Sequence, residues 1–505
     1  MAKTVQTVQT GSGRISGVET GDGVLSWRGI PYAAAPIGAL RWRLPQPAEP
    51  WTDVRDGAKP GSPAIQPAVQ LPAGAEAFLV KPPVELPPPS EDCLYLNVTA
   101  PADAQQAPVI VWVHGGGYQT GNGFEMAGDG VTFARDHGAV VVTFNYRLGA
   151  LGFLSVPGEQ HTGAFGLHDQ IAALGWVHDN ISAFGGDPTR VTIYGLSAGA
   201  KSVANLMASP LTRGLFQRAA FSSGGGDHVA SPAQTRAVAD RYLKELGVAG
   251  LGAAEKLREI PAADLLQAQT AIGEGLRTTW VWRPAIDQLA LTGRPVEVIA
   301  AGAAAGIPLL AQHCVSECLL YQFGEPSSAA QADRVLAEYF GPDGRDEMLA
   351  AYAAAAPDLD PTSLRVDIMT DDRYAVPSTL VADAQSAHAP VWRSRYDGPL
   401  TGLPTQFVPG GELPAVHGTD GPGVWNGGQG VQAELHAAFG AFVSNGSPAA
   451  SELPEWPGYT VPERSTMIFR TGATRVEHDP DAARRTAWQG REWKSGIWYQ
   501  IEGVG

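Results

Sequence analysis

The stretch Val191–Val203, VTIYGLSAGAKSV, sets one serine between two glycines where strand pattern gives way to helix pattern. Arg190–Tyr194, RVTIY, is the kind of apolar, β-branched run that parallel sheets bury on both faces. Ser197–Ser209, SAGAKSVANLMAS, reads as a helix and is halted by Pro210. Gly195-Leu196-Ser197-Ala198-Gly199 is therefore a G-x-S-x-G pentapeptide in the strand-turn-helix context that a nucleophile elbow requires. A turn this sharp strains the serine backbone and crowds its neighbours, and Gly195 and Gly199 relieve that crowding. The Ser197 hydroxyl is then expected above the carboxyl edge of the sheet, at a helix N-terminus whose dipole favours developing negative charge. The competing reading is an ordinary N-cap serine.

Outward from the elbow, Ala107–His114 (APVIVWVH) and Ala139–Tyr146 (AVVVTFNY) are further continuous apolar runs, and each predicts a buried strand. Between the second of these and the elbow strand, Ile171, Leu174, Val177, Ile181 and Phe184 recur at helical spacing, with Gly185 as a C-terminal stop. Gly306–Gln312 (GIPLLAQ) and Pro390–Asp397 (PVWRSRYD) are later strand candidates. The sum predicts an α/β fold with a doubly wound, mainly parallel sheet. No repeat and no clear linker divides the 505 residues, so one domain over 1–505 with inserted segments is expected. The Pro-rich stretch Lys59–Ser90 predicts an extended surface loop.

A serine hydroxyl needs a base, a group that orients the base, and donors for the oxyanion. Trp112–Gly121, WVHGGGYQTG, follows a strand, and its glycines leave backbone N–H groups free to approach a tetrahedral oxygen. Gly116, Gly117 and Ala198 are the expected oxyanion donors.

Composition narrows the partners. Thirty-five Lys and Arg against 51 Asp and Glu give a net charge of -16, a field that repels nucleic acid and anionic membranes. Three cysteines are too few for a disulfide framework, and Cys314-x-x-x-Cys318 lacks the further ligands of a zinc site. They are expected to be buried or half-buried thiols. No cofactor or metal is implied. The N-terminus, MAKTVQTVQTGSGRISG, has no apolar core of a signal peptide, and no apolar run is long enough to span a membrane. A cytoplasmic protein, monomeric or a small homo-oligomer, is expected; a secreted chain already freed of its signal would read the same.

Ser90–Val98 (SEDCLYLNV), Val111–Tyr118 (VWVHGGGY), Phe144–Leu154 (FNYRLGALGFL), Gly166–Ala200 and Ser209–Gly224 (SPLTRGLFQRAAFSSG) resemble, in order, the type-B carboxylesterases, α/β-hydrolases that include para-nitrobenzyl esterases and cholinesterases. The resemblance runs from about Gly13 to Ala441–Pro448 and Trp456–Tyr459. It implies helical insertions forming a lid, and a triad in the chain order serine, acid, histidine. Of eleven histidines, His388, His417, His436 and His478 follow the late strands. His417, in LPAVHGTDGPG, resembles the family's base, and Glu317, in HCVSECLLY, its acid. Ser223 resembles a second serine that supports the triad. Two ion pairs are implied, Arg41 with Glu91 and Arg147 with Asp187. Thr278–Asp287 (TTWVWRPAID) resembles the acyl-pocket segment, which makes Trp280, Trp282 and Arg283 candidate pocket residues.

Three departures stand out. Leu196 occupies the place of the usual Glu before the nucleophile, Ser316 and Cys318 replace Asp and Gly around the acid, and no cysteine precedes Cys93 to form the family's early disulfide. Thr52–Asp92 holds no Trp or Tyr, only Phe78, to seat a quaternary ammonium, so choline esters are not the expected substrates. The resemblance implies hydrolysis of small to medium neutral carboxylic esters through a serine acyl-enzyme, with water as co-substrate. A carbamate or amide hydrolase with the same parts, and a non-catalytic binding protein on the same fold, are the alternatives.

Overall fold

The computed structural model describes residues 4–68, 84–124, 128–226, 228–250, 252–273, 281–324, 330–399 and 411–491. Ala107–Val113 is buried at every position, and it lies near the middle of one continuous sheet. Seven strands run parallel in the spatial order Val140–Phe144, Ala107–Val113, Gly186–Leu196, Arg218–Ser222, Leu309–Cys314, Val391–Gly398 and Ser465–Arg470. Antiparallel strands flank them: Tyr95–Pro101, Val24–Pro31, Arg14–Gly21 and Thr4–Gln9 on one side, Arg475–His478 on the other. Val54–Asp56 pairs with Arg14–Gly21 off this path. This is the α/β-hydrolase fold, with a mainly parallel sheet and helices on both faces.

Side-chain alternation splits the central strand between two cores. Val109, Val111 and Val113 join a core closed by helices Phe165–Asn180 and Ala198–Ala208. Ile110 and Trp112 join the opposite core, closed by Trp425 and helix Val431–Asn445. The predicted helix before the elbow ends as a 3₁₀ turn, Ile181–Phe184, with Gly185 left-handed at φ 83°. The elbow strand is longer than expected, because Gly186 already pairs with Ala107. Leu309–Cys314 starts later than expected, because Gly306 turns the chain at φ 81°. Within the loop 59–90, Ala64 and Ser90 form a bridge, and residues 69–83 with Phe78 lie outside the described residues. Helical insertions such as Pro232–Glu245 and Pro361–Thr370 separate the late strands.

Arg41 holds Glu91 through two hydrogen bonds, Nε to Oε2 at 2.6 Å and Nη2 to Oε1 at 2.5 Å. The expected Arg147–Asp187 pair is not formed. Arg147 instead grips Asp169, Nε to Oδ2 at 2.7 Å and Nη2 to Oδ1 at 2.6 Å. Asp169 sits on the inward side of helix Phe165–Asn180, fully buried, where a carboxylate must be paired. Asp187 accepts from the amide and hydroxyl of Thr189, which satisfies it locally.

A Cβ on Gly199 would lie 1.9 Å from the Val113 carbonyl oxygen, so no side chain fits there without moving backbone. Gly199→Ala is expected to destabilise by about 2–3 kcal/mol, the upper range for overpacking a rigid contact, and to displace the elbow. Chemical denaturation and esterase turnover check this; a variant of unchanged stability and rate rules out the close approach as a requirement.

Candidate active site

The elbow is strained at the serine itself, with Ser197 at φ 61° and ψ -122°. Three features hold it there. The Ser197 amide donates to the Ser222 carbonyl at 3.0 Å, and the Ser197 carbonyl accepts from the Lys201 amide at 3.0 Å. A Cβ on Gly195 would stand 2.3 Å from the Gly199 carbonyl oxygen, so both glycines are needed by contact as well as by pattern.

The glycine loop crosses directly over this serine. A Cβ on Gly115 would lie 3.2 Å from Ser197 Cβ. Gly116, Gly117 and Tyr118 are all left-handed, at φ 94°, 62° and 62°, and the Gly116 carbonyl accepts from the Gln119 and Thr120 amides at 3.0 Å. The Gly116 and Gly117 amides donate to no acceptor among the described residues. Ala198 opens helix Ala198–Ala208, where first-turn amides have no partner within the helix. Two loop amides and the first amide of a helix are thus left without an acceptor among the described residues, on the two segments that meet at Ser197.

Glu317 follows Leu309–Cys314, and His417 lies in the loop after Val391–Gly398. Both strands end on the same sheet edge as the elbow strand. His417 Nδ1 meets Glu317 Oε2 at 2.7 Å, while Glu317 Oε1 accepts from the Cys314 amide at 2.7 Å. The His417 amide donates to the Glu317 carbonyl at 3.3 Å, and the Ser316 amide to the Ala415 carbonyl at 3.0 Å, so the two loops are tied together. Glu317 is fully buried, and the His417 side chain is 10% exposed. With Nδ1 bonded to the carboxylate, Nε2 is the nitrogen left for proton transfer. Ser197 and His417 share no hydrogen bond in this conformation; in unliganded serine hydrolases that contact is commonly long.

Sequence reasoning missed the ring stack on His417. Tyr374, in the π-helical turn Asp371–Ala375, lies 4.6 Å from the His417 ring centre at 33°, and the hydroxyls of Tyr321 and Tyr374 meet at 2.5 Å. Lys201, one turn past Ser197, places Nζ 4.8 Å from the Tyr374 ring. Burial, and then the charge of Arg373, holds the Lys201 ammonium well below the usual lysine range, against the pull of Glu317. No local pattern announces these contacts, because four distant segments make them.

Asp420 is a second buried carboxylate near Glu317. Its Oδ2 accepts from Gln312 Nε2 at 2.6 Å, and burial followed by the charge of Glu317 raises its pKa. Ser223 is buried with φ 56°, and its amide donates to the Gln312 carbonyl at 2.9 Å. Its hydroxyl bonds to neither Glu317 nor His417 among the described residues. Leu196 packs into the apolar core of Trp112 and Trp425, so no carboxylate stands at that position. Cys93, Cys314 and Cys318 are free and buried, and burial raises all three thiol pKa values.

Of the acyl-pocket candidates, Trp282 is buried edge-on against Tyr242, with ring centres 5.4 Å apart at 84°, which is a core contact. Arg283 is buried, and Trp280 lies outside the described residues. Burial, with the charges of Lys201 and Arg283 next, holds the His228 imidazole well below its usual range. His436 bonds to the Val424 carbonyl at 2.8 Å within the helical core, as expected of a packing residue.

The sequence profile of the carboxylesterase family matches residues 4–488. The chain is 37% identical to the para-nitrobenzyl esterase of Bacillus subtilis over 95% of its own length and 98% of that protein. It is 33% identical to a phenmedipham hydrolase of Pseudarthrobacter oxydans over 91% of this chain and 94% of that one. A solved PNB esterase superposes with a TM-score of 0.82 at 34% identity, covering 95% of this chain and 99% of its own. A carboxylesterase of Geobacillus stearothermophilus does so with the same score and identity, covering 96% and 100%.

Proposed function

The chain belongs to the carboxylesterase family and is a carboxylic ester hydrolase, and from that premise we propose which residues perform the reaction. The observation that carries the assignment is the 2.7 Å His417–Glu317 bond on the sheet edge that presents the strained Ser197. Ser197 Oγ attacks the ester carbonyl while His417 Nε2 takes its proton. The tetrahedral oxyanion is held by the amides of Gly116, Gly117 and Ala198, preorganised where the charge develops. His417 returns the proton to the leaving alcohol, and the acyl-enzyme remains. Water, deprotonated by His417, then attacks the acyl carbon and releases the acid. Glu317 keeps the imidazole in the required tautomer and stabilises the imidazolium. A serine-directed sulfonyl fluoride followed by peptide mass spectrometry tests the nucleophile: Ser197 is the expected site of label, and a label elsewhere with Ser197 untouched overturns the assignment.

We further propose small to medium neutral esters as substrates. The net charge of -16 supports this, because its field disfavours the approach of anions. Trp282 belongs to the core, so any narrowing of the acyl pocket rests on other residues. In an acyl series from acetate to decanoate, kcat/KM is expected to fall beyond short chains and to be low for a choline ester. Strong selection for a dicarboxylate monoester would promote the buried Arg283 to a specificity residue. Because one relative is named for phenmedipham, that compound and an anilide belong in the same panel.

A further inference from the structure

Away from the triad, a cavity of about 450 Å³ opens beneath helix Val376–Ser386, against the start of strand Val391–Gly398 and the segment from Asp479 to Arg491. Ser197, Glu317 and His417 do not line it. Val376, Leu380 and Trp488 supply apolar wall. Glu297 pairs with Arg294, and Asp371 is engaged through Oδ2 by Tyr352 and Arg484 while its Oδ1 is buried without a partner among the described residues; the other carboxylates along the cavity are held by arginines. Asp383 accepts from Arg464 Nη1 at 2.6 Å, Asp479 from Arg485 Nη2 at 2.6 Å, and Asp481 from Arg395 Nη1 at 2.7 Å and Arg484 Nη2 at 2.8 Å.

Arg393 differs from these arginines. It lines the cavity, is 5% exposed, and its side chain makes no hydrogen bond or ion pair among the described residues; its Nε is fully buried without a partner, and its charge is felt by Asp481, whose own hydrogen bonds go to Arg395 and Arg484. A guanidinium cannot discharge by losing its proton, so in this position it calls for an anion. We propose that the cavity is a binding site for an organic monocarboxylate, its carboxylate forked on Arg393 and its compact apolar body against Val376, Leu380 and Trp488. The planar fork matches a carboxylate in bidentate fashion. Asp479 and Asp481 on the same wall disfavour a dianion such as phosphate. The volume falls in the range of small-molecule sites.

The test is calorimetric titration of 4-fluorobenzoate into the full chain after Ser197 has been sulfonylated, which blocks the nucleophile. One saturable site is expected, with the neutral isostere 4-fluorobenzamide failing to compete. Arg393→Gln is expected to weaken binding about tenfold or more, the loss typical of a charge-assisted bond. Leu380→Trp, which fills the cavity without touching Arg393, is expected to abolish binding. Turnover of para-nitrophenyl acetate by each unmodified variant reports whether it folds, and if Arg393→Gln does not, Leu380→Trp decides. Absence of saturable binding to the wild type, or a folded variant that binds as the wild type does, overturns the site. Neither result touches the assignment of Ser197, whose test is the covalent label.

Discussion

Ser197→Ala is expected to lower kcat for para-nitrophenyl acetate by a factor on the order of 10⁴ to 10⁶, because without Oγ no acyl-enzyme forms and only binding and the oxyanion donors remain. The fold is expected to survive. The strain at φ 61° is a backbone property that alanine and serine share, and the Ser197 hydroxyl makes no hydrogen bond among the described residues that alanine would forfeit. The change in unfolding free energy should stay within about 0.5 kcal/mol, as for a substitution that breaks no contact. Steady-state kinetics and denaturation on the same preparation check both halves. A variant that keeps even a tenth of wild-type kcat would show that another group attacks the ester.

Glu317→Gln comes second, with an expected loss in kcat of roughly 10² to 10⁴. The carboxylate accepts at both oxygens, from the Cys314 amide on Oε1 and at His417 Nδ1 on Oε2. A glutamine has one acceptor oxygen. Kept on the Cys314 amide, it turns an NH₂ toward Nδ1, which then carries the lone pair; the proton moves to Nε2, where it blocks the base. Without its negative charge the imidazolium also loses its counterion in a fully buried site. Asp420→Asn is the control, since Asp420 accepts from Gln312 and its amide isostere keeps an acceptor oxygen for that bond. Its kcat is expected to change only a few-fold. If Asp420→Asn proves the more damaging of the two, Asp420 and not Glu317 is the carboxylate that serves the base.

The two buried carboxylates show how far the chain could be read in advance. Glu317 stands out only by resemblance to a family, because an isolated Glu in HCVSECLLY carries no spacing signal of its own. Asp420, three residues past His417, looks as plausible when distance is counted along the chain. What separates them is direction, since Glu317 points at Nδ1 and Asp420 points at Gln312. Arg147 repeats the lesson. Asp187 suits the family pattern, but the guanidinium goes to Asp169, whose burial on the inner face of helix Phe165–Asn180 demands a full partner.

The sequence by itself determined the elbow and the sheet, because both follow from short-range requirements. Continuous apolar runs such as Ala107–Val113 must be covered on both faces, and only small residues tolerate the approach of Gly195 to Gly199 and of Gly199 to Val113. Tertiary structure alone decided the surroundings of His417, with the Tyr374 ring on it and the buried Lys201 over that ring, and, elsewhere, the cavity in which Arg393 Nε has no partner among the described residues. Each depends on where segments far apart in the chain are brought together. Pairing of buried charges is settled by desolvation and direction in the assembled core, and neither quantity is carried by a residue and its neighbours in sequence.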